Sequence, residues 1–149
     1  MERATVVIAD DDARLRAALR ALVTREPRLS VVGEAANGRE AVALALRLEP
    51  RVVLMDLEMP VLDGLAATRA IAASLPDVRV VMVSGSADAT APARAAAAGA
   101  VAFVRKSDID TVARVIVGLL ADGELVDDLD RAAREAATEA REQRPEPLD

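Results

Sequence analysis

The 149-residue chain contains no cysteine, no histidine, no tryptophan and no tyrosine. Without cysteine and histidine it cannot form disulfides, use thiol catalysis, bind zinc in the usual ways or build a catalytic triad that depends on imidazole. Any chemistry must therefore use carboxylates, hydroxyls and amines. Lysine is also nearly absent, because 18 of the 19 basic residues are arginine and only Lys106 carries an amine.

An excess of positive charge is missing as well. The 19 basic residues face 25 acidic ones, which gives a net charge of −6 and an isoelectric point near 4.8. This balance argues against a general binder of nucleic-acid phosphates. No apolar run reaches the roughly 18 residues of a membrane span, and the first apolar run is too short for a signal peptide. We therefore expect a cytoplasmic protein that has neither nucleic acid nor membrane as a direct partner.

Short aliphatic runs alternate with longer segments in which apolar residues recur at helical spacing. The aliphatic runs, which we interpret as strands, cover 5–9, 30–35, 51–56, 78–84 and 100–104. Each is followed by one helical segment. Strands that are apolar throughout and alternate with helices predict an α/β fold with a five-stranded parallel sheet that is doubly wound, with helices on both faces.

The last 28 residues differ in charge from the rest of the chain. Residues 122–149 carry ten acids and four arginines, whereas residues 1–121 carry fifteen acidic and fifteen basic residues. We predict one domain over 1–121 and an acidic, helical tail over 122–149. This tail could be a partner-binding or dimer helix, or a solvated extension without a partner.

Polar residues lie at or just after the ends of four predicted strands. They are Asp10-Asp11-Asp12, Asp56, Ser84 and Lys106. Ligands of parallel open sheets bind at the carboxyl ends of the strands, so these groups should meet at one edge. Crowded carboxylates need a cation to stay ionised together, and a donor set made of oxygen alone suits Mg²⁺. Asp56 could then act as a nucleophile, with Lys106 and Ser84 binding phosphoryl oxygens.

Each of these residues also has a plain structural interpretation. Asp12 is suited to cap a helix, Asp56 and Ser84 to form turns, and Lys106 to be a surface cation with a buried stem. Taken together, four strand ends that supply mutually required groups favour a single site.

Four segments carry a resemblance to a known family. The strings VVIADDD, VVLMDLEMPVLDG, VVMVSGS and GAVAFVRKS resemble, in order and spacing across residues 4–121, the receiver domain of two-component response regulators. The resemblance implies a flavodoxin-like strand order, 2-1-3-4-5. The sequences of these segments are most similar to those of receivers that precede a helix-turn-helix domain. Because 28 residues are too few for such a domain, we expect a single-domain regulator that acts through protein contacts.

The same resemblance implies roles for individual residues. Asp56 would be the phosphoacceptor, and Mg²⁺ would be held by Asp56, by Asp11 directly, by Asp10 through water and by the main-chain carbonyl of Glu58. Ser84 and Lys106 would bind the phosphoryl group. Phe103 and Ser84 would form the switch pair; the alternative for Phe103 is that it only fills the core.

The implied function is a phosphorylation-controlled switch. Because the chain has no histidine, its donor must be a separate histidine kinase or phosphotransfer protein, and its output a downstream protein target or a homodimer. We expect slow autodephosphorylation rather than enzymatic turnover. Two alternatives stay open at this stage: a small phosphatase with an aspartate nucleophile, and a receiver that binds its partner without being phosphorylated.

Overall fold

The computed structural model describes residues 3–124 of the chain. In this part, five strands alternate with five α-helices, as predicted. The strands are β1 (Ala4–Ala9), β2 (Leu29–Ala35), β3 (Val52–Asp56), β4 (Arg79–Ser84) and β5 (Ala102–Arg105). The helices are α1 (Ala13–Thr24), α2 (Gly38–Leu48), α3 (Gly64–Ser74), α4 (Ala91–Ala98) and α5 (Val112–Glu124), with a 3-10 helix over Lys106–Thr111.

Chain contacts divide the protein into two compact units, Met1–Val115 and Ile116–Asp149. The first contains the whole sheet and helices α1 to α4, and the second begins within α5. Most of the predicted acidic tail, 122–149, lies outside the described residues. The domain boundary at 121 and the tail helix therefore stay predictions. No helix within the described residues has the length and apolar character that a membrane crossing requires.

The five strands form one parallel sheet in the order β2-β1-β3-β4-β5, which confirms the predicted topology. The register pairs Ile8 with Leu54, Asp56 with Val83, and Ser84 with Arg105. Since the strands are parallel, their carboxyl ends lie along one edge of the sheet. The residues that end β1, β3, β4 and β5 are therefore neighbours.

The core is aliphatic, as the composition requires. One face of the sheet packs against α2, α3 and α4 in a cluster that includes Val7, Val53, Met55, Val80, Met82, Ala45, Ile71 and Ala95. Residues that alternate with these along the strands point to the other face. They are equally buried, as are Leu19 and Val23 of α1, a helix that contacts β1 and β2. Both faces of the central strands are thus covered.

Short polar side chains begin the first three helices, which confirms the cap predicted at Asp12. Asp12 accepts hydrogen bonds from the main-chain N–H of Arg14 and Leu15. Asn37 accepts one from Glu40, and Asp63 one from Ala66. These caps satisfy N–H groups that have no partner inside the helix, and they fix where each helix leaves the strand edge.

The last strand and helix differ from their predicted bounds. The strand predicted over 100–104 is β5, which begins at Ala102, although the Val101 N–H already donates to the Val80 carbonyl of β4 at 2.8 Å. Ala100 instead belongs to the end of α4, because its N–H donates to the Ala95 carbonyl. In the sequence, apolar residues recur at helical spacing over 108–120, but the final α-helix begins only at Val112. A 3-10 helix over Lys106–Thr111, with a non-helical residue at Asp108, comes first.

Candidate functional site

Carboxylates and one ammonium meet at the carboxyl edge of the sheet. Asp10 directly follows β1, Asp56 ends β3, and Lys106 directly follows β5. The Lys106 Nζ lies 3.4 Å from Asp10 Oδ2 and 3.2 Å from Asp56 Oδ1. Side chains that are up to 96 positions apart in sequence therefore form one ion-pair cluster, and the predicted convergence of these three residues is observed.

The acidic side of the cluster has the properties of a divalent-cation site. Asp10, Asp11 and Asp56 each offer a carboxylate oxygen, and these atoms all lie within 4.8 Å of one another. Asp10 Oδ2 is buried and receives no hydrogen bond from any described residue. The Lys106 ammonium, 3.4 Å away, is shared with Asp56, so the charge of this buried carboxylate is incompletely balanced and a bound cation would be favourable. Three hard oxygen donors fit Mg²⁺ better than they fit a softer metal.

Burial and the negative charge of a neighbouring carboxylate both raise the pKa of Asp56. Burial at the end of β3 raises the pKa of Asp56 from its ordinary 3.8 to about 6, and the neighbouring charge of Asp10 adds to the rise while Lys106 opposes it. Burial alone would lower the pKa of Lys106. The charges of Asp56 and Asp10 outweigh that effect and raise it. Lys106 is therefore an ammonium at neutral pH, yet its single charge does not balance the carboxylates around it.

The cluster opens into a cavity of ≈ 670 Å³, which has ample room for a phosphoryl group. Ser84 lines it, and its hydroxyl oxygen accepts a hydrogen bond from the Ser86 N–H at 3.0 Å. Glu58 lines it as well. The other lining residues are Asp11, Asp12, Asp56, Met59, Pro60, Gly85, Ser86 and Lys106.

Phe103 is the one predicted functional residue that lies away from this cavity. It is half-buried and packs against the core, and it lines a separate groove of ≈ 180 Å³ with residues from the end of α4. The Arg105 guanidinium lies 5.9 Å from the centre of its ring. Such contacts fit the core-filling interpretation and leave the switch role untested.

Gly64 fixes the loop that borders the cavity, and sequence spacing did not assign it this role. Gly64, at the start of α3, donates its N–H to the Leu57 carbonyl at 2.9 Å. A Cβ at Gly64 would lie 1.9 Å from the main-chain oxygen of Asp56, so only glycine lets α3 begin this close to the end of β3. The Asp-Gly pair marks a tight turn in the sequence, but the sequence does not show which backbone the turn approaches.

Comparison with known proteins gives one family. The family model described as "Response regulator receiver domain" matches residues 6–117. A protein-glutamate methylesterase/protein-glutamine glutaminase of Methanospirillum hungatei is 42% identical over 104 residues, which are 68% of this chain and 29% of that protein. The transcriptional regulatory protein LnrK of Bacillus subtilis is 35% identical over 119 residues, 79% of this chain and 54% of LnrK. The chain thus spans about half or less of the length of these two relatives.

Solved structures agree with the family match. The response regulator domain of Thermotoga maritima CheB has a TM-score of 0.72 and 33% identity, over 81% of this chain and 96% of that one. A LuxR-family response regulator of Aurantimonas sp. SI85-9A1 has a TM-score of 0.76 and 32% identity, over 80% of this chain and 86% of that one. The sheet order, the acidic edge and these matches show that the chain belongs to the receiver domains of two-component response regulators, a family of phosphoacceptor switches.

Proposed function

We propose that Asp56 of this receiver accepts the phosphoryl group, in a reaction that depends on Mg²⁺ and on a separate histidine kinase or phosphotransfer protein as donor. The observation that carries this proposal is the position of Asp56. Its carboxylate is buried at the end of β3, within 3.2 Å of the Lys106 ammonium, and faces a cavity large enough for the incoming group. Membership of the receiver family does not favour a phosphatase or a phosphorylation-independent binding module.

In the proposed reaction, an oxygen of ionised Asp56 attacks the phosphorus of the donor. A phosphorus–oxygen bond forms, the bond from phosphorus to the donor nitrogen breaks, and the electron pair of that bond stays on the donor imidazole. With acetyl phosphate as donor, the bond that breaks leads to the acetate oxygen. A pKa of about 6 leaves Asp56 ionised at neutral pH and able to attack.

Lys106 and Ser84 would stabilise the group once it is attached. The Lys106 ammonium already lies against the Asp56 carboxylate and would donate to a phosphoryl oxygen. The Ser84 oxygen accepts from Ser86, so its own hydroxyl proton is available for a second phosphoryl oxygen. Asp10, Asp11 and Asp56, with the Glu58 main-chain carbonyl, would hold Mg²⁺, which when bound supplies positive charge to the phosphoryl oxygens.

The proposed output is a changed protein-binding surface. Movement of Ser84 towards the phosphoryl group would shift the loop that leads into α4, and Phe103 would turn further into the groove beside α4. We propose a downstream protein target as the reader of this change, a cytoplasmic location, and slow autodephosphorylation without enzymatic turnover. A homodimer through the segment 122–149 is the second form that the output could take.

Intact-mass measurement after incubation with acetyl phosphate tests the acceptor. The native chain should gain one phosphoryl group when Mg²⁺ is present and none when it is removed by EDTA. Asp56→Asn should gain none under either condition. Asp63→Asn is the matched control, because asparagine also caps helices and residue 63 lies on the same loop. An adduct that persists on Asp56→Asn would place the acceptor elsewhere.

A further inference from the structure

Asp10 is held by three hydrogen bonds that leave only one of its oxygens unbonded. Its main-chain N–H donates to the Ala35 carbonyl at 3.0 Å, which is part of the pairing with β2. Its Oδ1 accepts from the Asp12 N–H at 2.8 Å. Its main-chain carbonyl accepts from Arg16 Nη1 at 2.7 Å. The remaining oxygen, Oδ2, is buried, accepts no hydrogen bond and lies 3.4 Å from the Lys106 ammonium.

The Arg16 side chain is itself fixed at a second point. Its Nε lies 3.6 Å from Glu34 Oε1, and the other oxygen of Glu34 accepts from Arg20 Nη1 at 2.7 Å. Arg16 and Arg20 are one turn apart on α1, and Glu34 lies on β2. The Arg16 side chain is only 21% exposed, compared with 51% for Arg20. Its guanidinium therefore joins a helix, an edge strand and the turn that carries Asp10 and Asp11.

The charge of Arg16 cannot be what helps a metal to bind. A guanidinium near three carboxylates repels a divalent cation, so on electrostatic grounds alone Arg16 would weaken the site. Its geometry acts in the opposite direction. A charge-assisted bond to the Asp10 carbonyl fixes the peptide plane between Asp10 and Asp11, and thereby the direction in which both carboxylates leave the backbone.

We propose that Arg16, held by Glu34, is a positioning residue for the divalent-cation site and sets its affinity by fixing the turn between β1 and α1. The inference rests on the cation site of the proposed function. It assigns no contact with the metal to Arg16 itself. The network belongs to one compact unit, Met1–Val115, in which all of its members lie.

Isothermal titration of the full chain with MgCl₂ tests this role. Arg16→Gln should weaken Mg²⁺ binding about tenfold, the lower end of the effect typical of groups that orient metal ligands. Arg14→Gln is the matched control. It removes the same charge from an exposed side chain two positions earlier on α1, and it should leave the dissociation constant unchanged or slightly lower.

Two further variants separate positioning from charge and from general stability. Arg16→Lys keeps the charge but not the two-point contact and should bind Mg²⁺ more weakly than the native chain. Glu34→Gln should weaken binding in the same direction by less than Arg16→Gln. Urea unfolding in EDTA, followed by circular dichroism, confirms that each variant is folded under the titration conditions, so that a changed dissociation constant reports the site and not unfolding.

The outcomes distinguish this inference from the proposal on which it rests. If the native chain binds Mg²⁺ and Arg16→Gln binds it equally well, the positioning role is wrong and the cation site stands. The role is also wrong if Arg14→Gln weakens binding as much as Arg16→Gln. If the native chain itself binds no Mg²⁺, the cation site fails and the inference fails with it.

Discussion

The two halves of the site are built differently. We call the turn over 10–12 and the segment over 56–64 the acidic half, and the segment over 84–90 the hydroxyl half. In the acidic half, bonds join segments that are distant in sequence: the Asp10 N–H donates to Ala35, and the Gly38 N–H to Leu62 at 3.0 Å. In the hydroxyl half, the side-chain bonds are local: most join residues two positions apart, as from Ser86 to Ser84 and from Asp88 to Ser86, and one joins Arg94 to Asp88.

This difference fits what each half has to do. Holding several carboxylates within 4.8 Å works against their repulsion, so the backbone that carries them must be fixed by the rest of the fold. The loop beyond Ser84 is largely exposed, and its local bonds can be exchanged for bonds to water or to a phosphoryl oxygen. We therefore expect that a methyl group added to the backbone of the acidic half costs stability and that the same addition in the hydroxyl half costs little.

The largest loss of stability is expected from a methyl group added to the acidic half. The Cβ of Gly64→Ala would lie 1.9 Å from the Asp56 main-chain oxygen and 3.0 Å from the Leu57 Cα, and backbone cannot move aside as a side chain can. We expect a loss of about 3 kcal/mol or more in the free energy of unfolding, since overpacking of this kind forces backbone shifts. Urea unfolding followed by circular dichroism measures it.

Gly118→Ala is the control for that variant. A Cβ at Gly118 meets nothing within 4 Å, and the residue lies inside α5. Alanine should therefore stabilise the chain by about 0.5–1 kcal/mol through its higher helix propensity. If Gly64→Ala were as stable as the native chain, the close approach of α3 to β3 would not be what holds the acidic half.

The next largest effect is on how stability changes with pH, and we expect a carboxyl in each half to change it in opposite directions. The pKa of Asp56 is raised by burial to about 6, so its neutral form favours the fold. That stability is present below about pH 4 and is lost as the pH rises through 6. In EDTA, Asp56→Asn should match the native chain near pH 4 and exceed it by about 2–3 kcal/mol at pH 8, at 1.36 kcal/mol for each pKa unit.

Asp88 in the hydroxyl half gives the contrasting sign. Hydrogen bonds from Thr90, with a contribution from Arg94, lower the pKa of the Asp88 carboxyl. Its ionised form therefore favours the fold, and this stability is present above its ordinary pKa and lost as the pH falls. Asp88→Asn should be less stable than the native chain at neutral pH, with the gap closing in acid. Urea midpoints of both variants from about pH 2 to pH 8 measure the two trends, because the Asp88 carboxyl titrates below its ordinary pKa, and parallel curves would contradict them.

Much of this site follows from local patterns in the sequence. Strand ends are read from aliphatic runs, and parallel pairing then brings Asp10, Asp56, Ser84 and Lys106 to one edge with no further information. The caps at Asp12, Asn37 and Asp63 are equally local, since each acts within three residues of its own position. The resemblance added the strand order, which periodicity does not determine.

What the sequence did not predict depends on long side chains and on backbone approach. Arg16 is one of 18 arginines, and nothing in its spacing shows that its guanidinium reaches back to the Asp10 carbonyl. The start of β5 was placed two residues early, because the apolar run begins at Ala100, whereas the first hydrogen bond to β4 comes from Val101 and the strand begins at Ala102. Such features are set by tertiary contacts rather than by propensity.

The smallest change in stability is expected when a methyl group is added to the hydroxyl half, on the other side of the cavity. A Cβ at Gly85 would lie 3.2 Å from Lys106 Cδ, a point on a flexible stem that can yield by a few tenths of an ångström. We expect Gly85→Ala to change the free energy of unfolding by less than about 1 kcal/mol, as small surface changes do. The Lys106 Nζ can still reach Asp56, so the phosphoryl adduct should form. A loss of stability as large as that of Gly64→Ala would mean that both halves are equally rigid, and the Ser84 loop would then be unable to move towards a phosphoryl group at low cost.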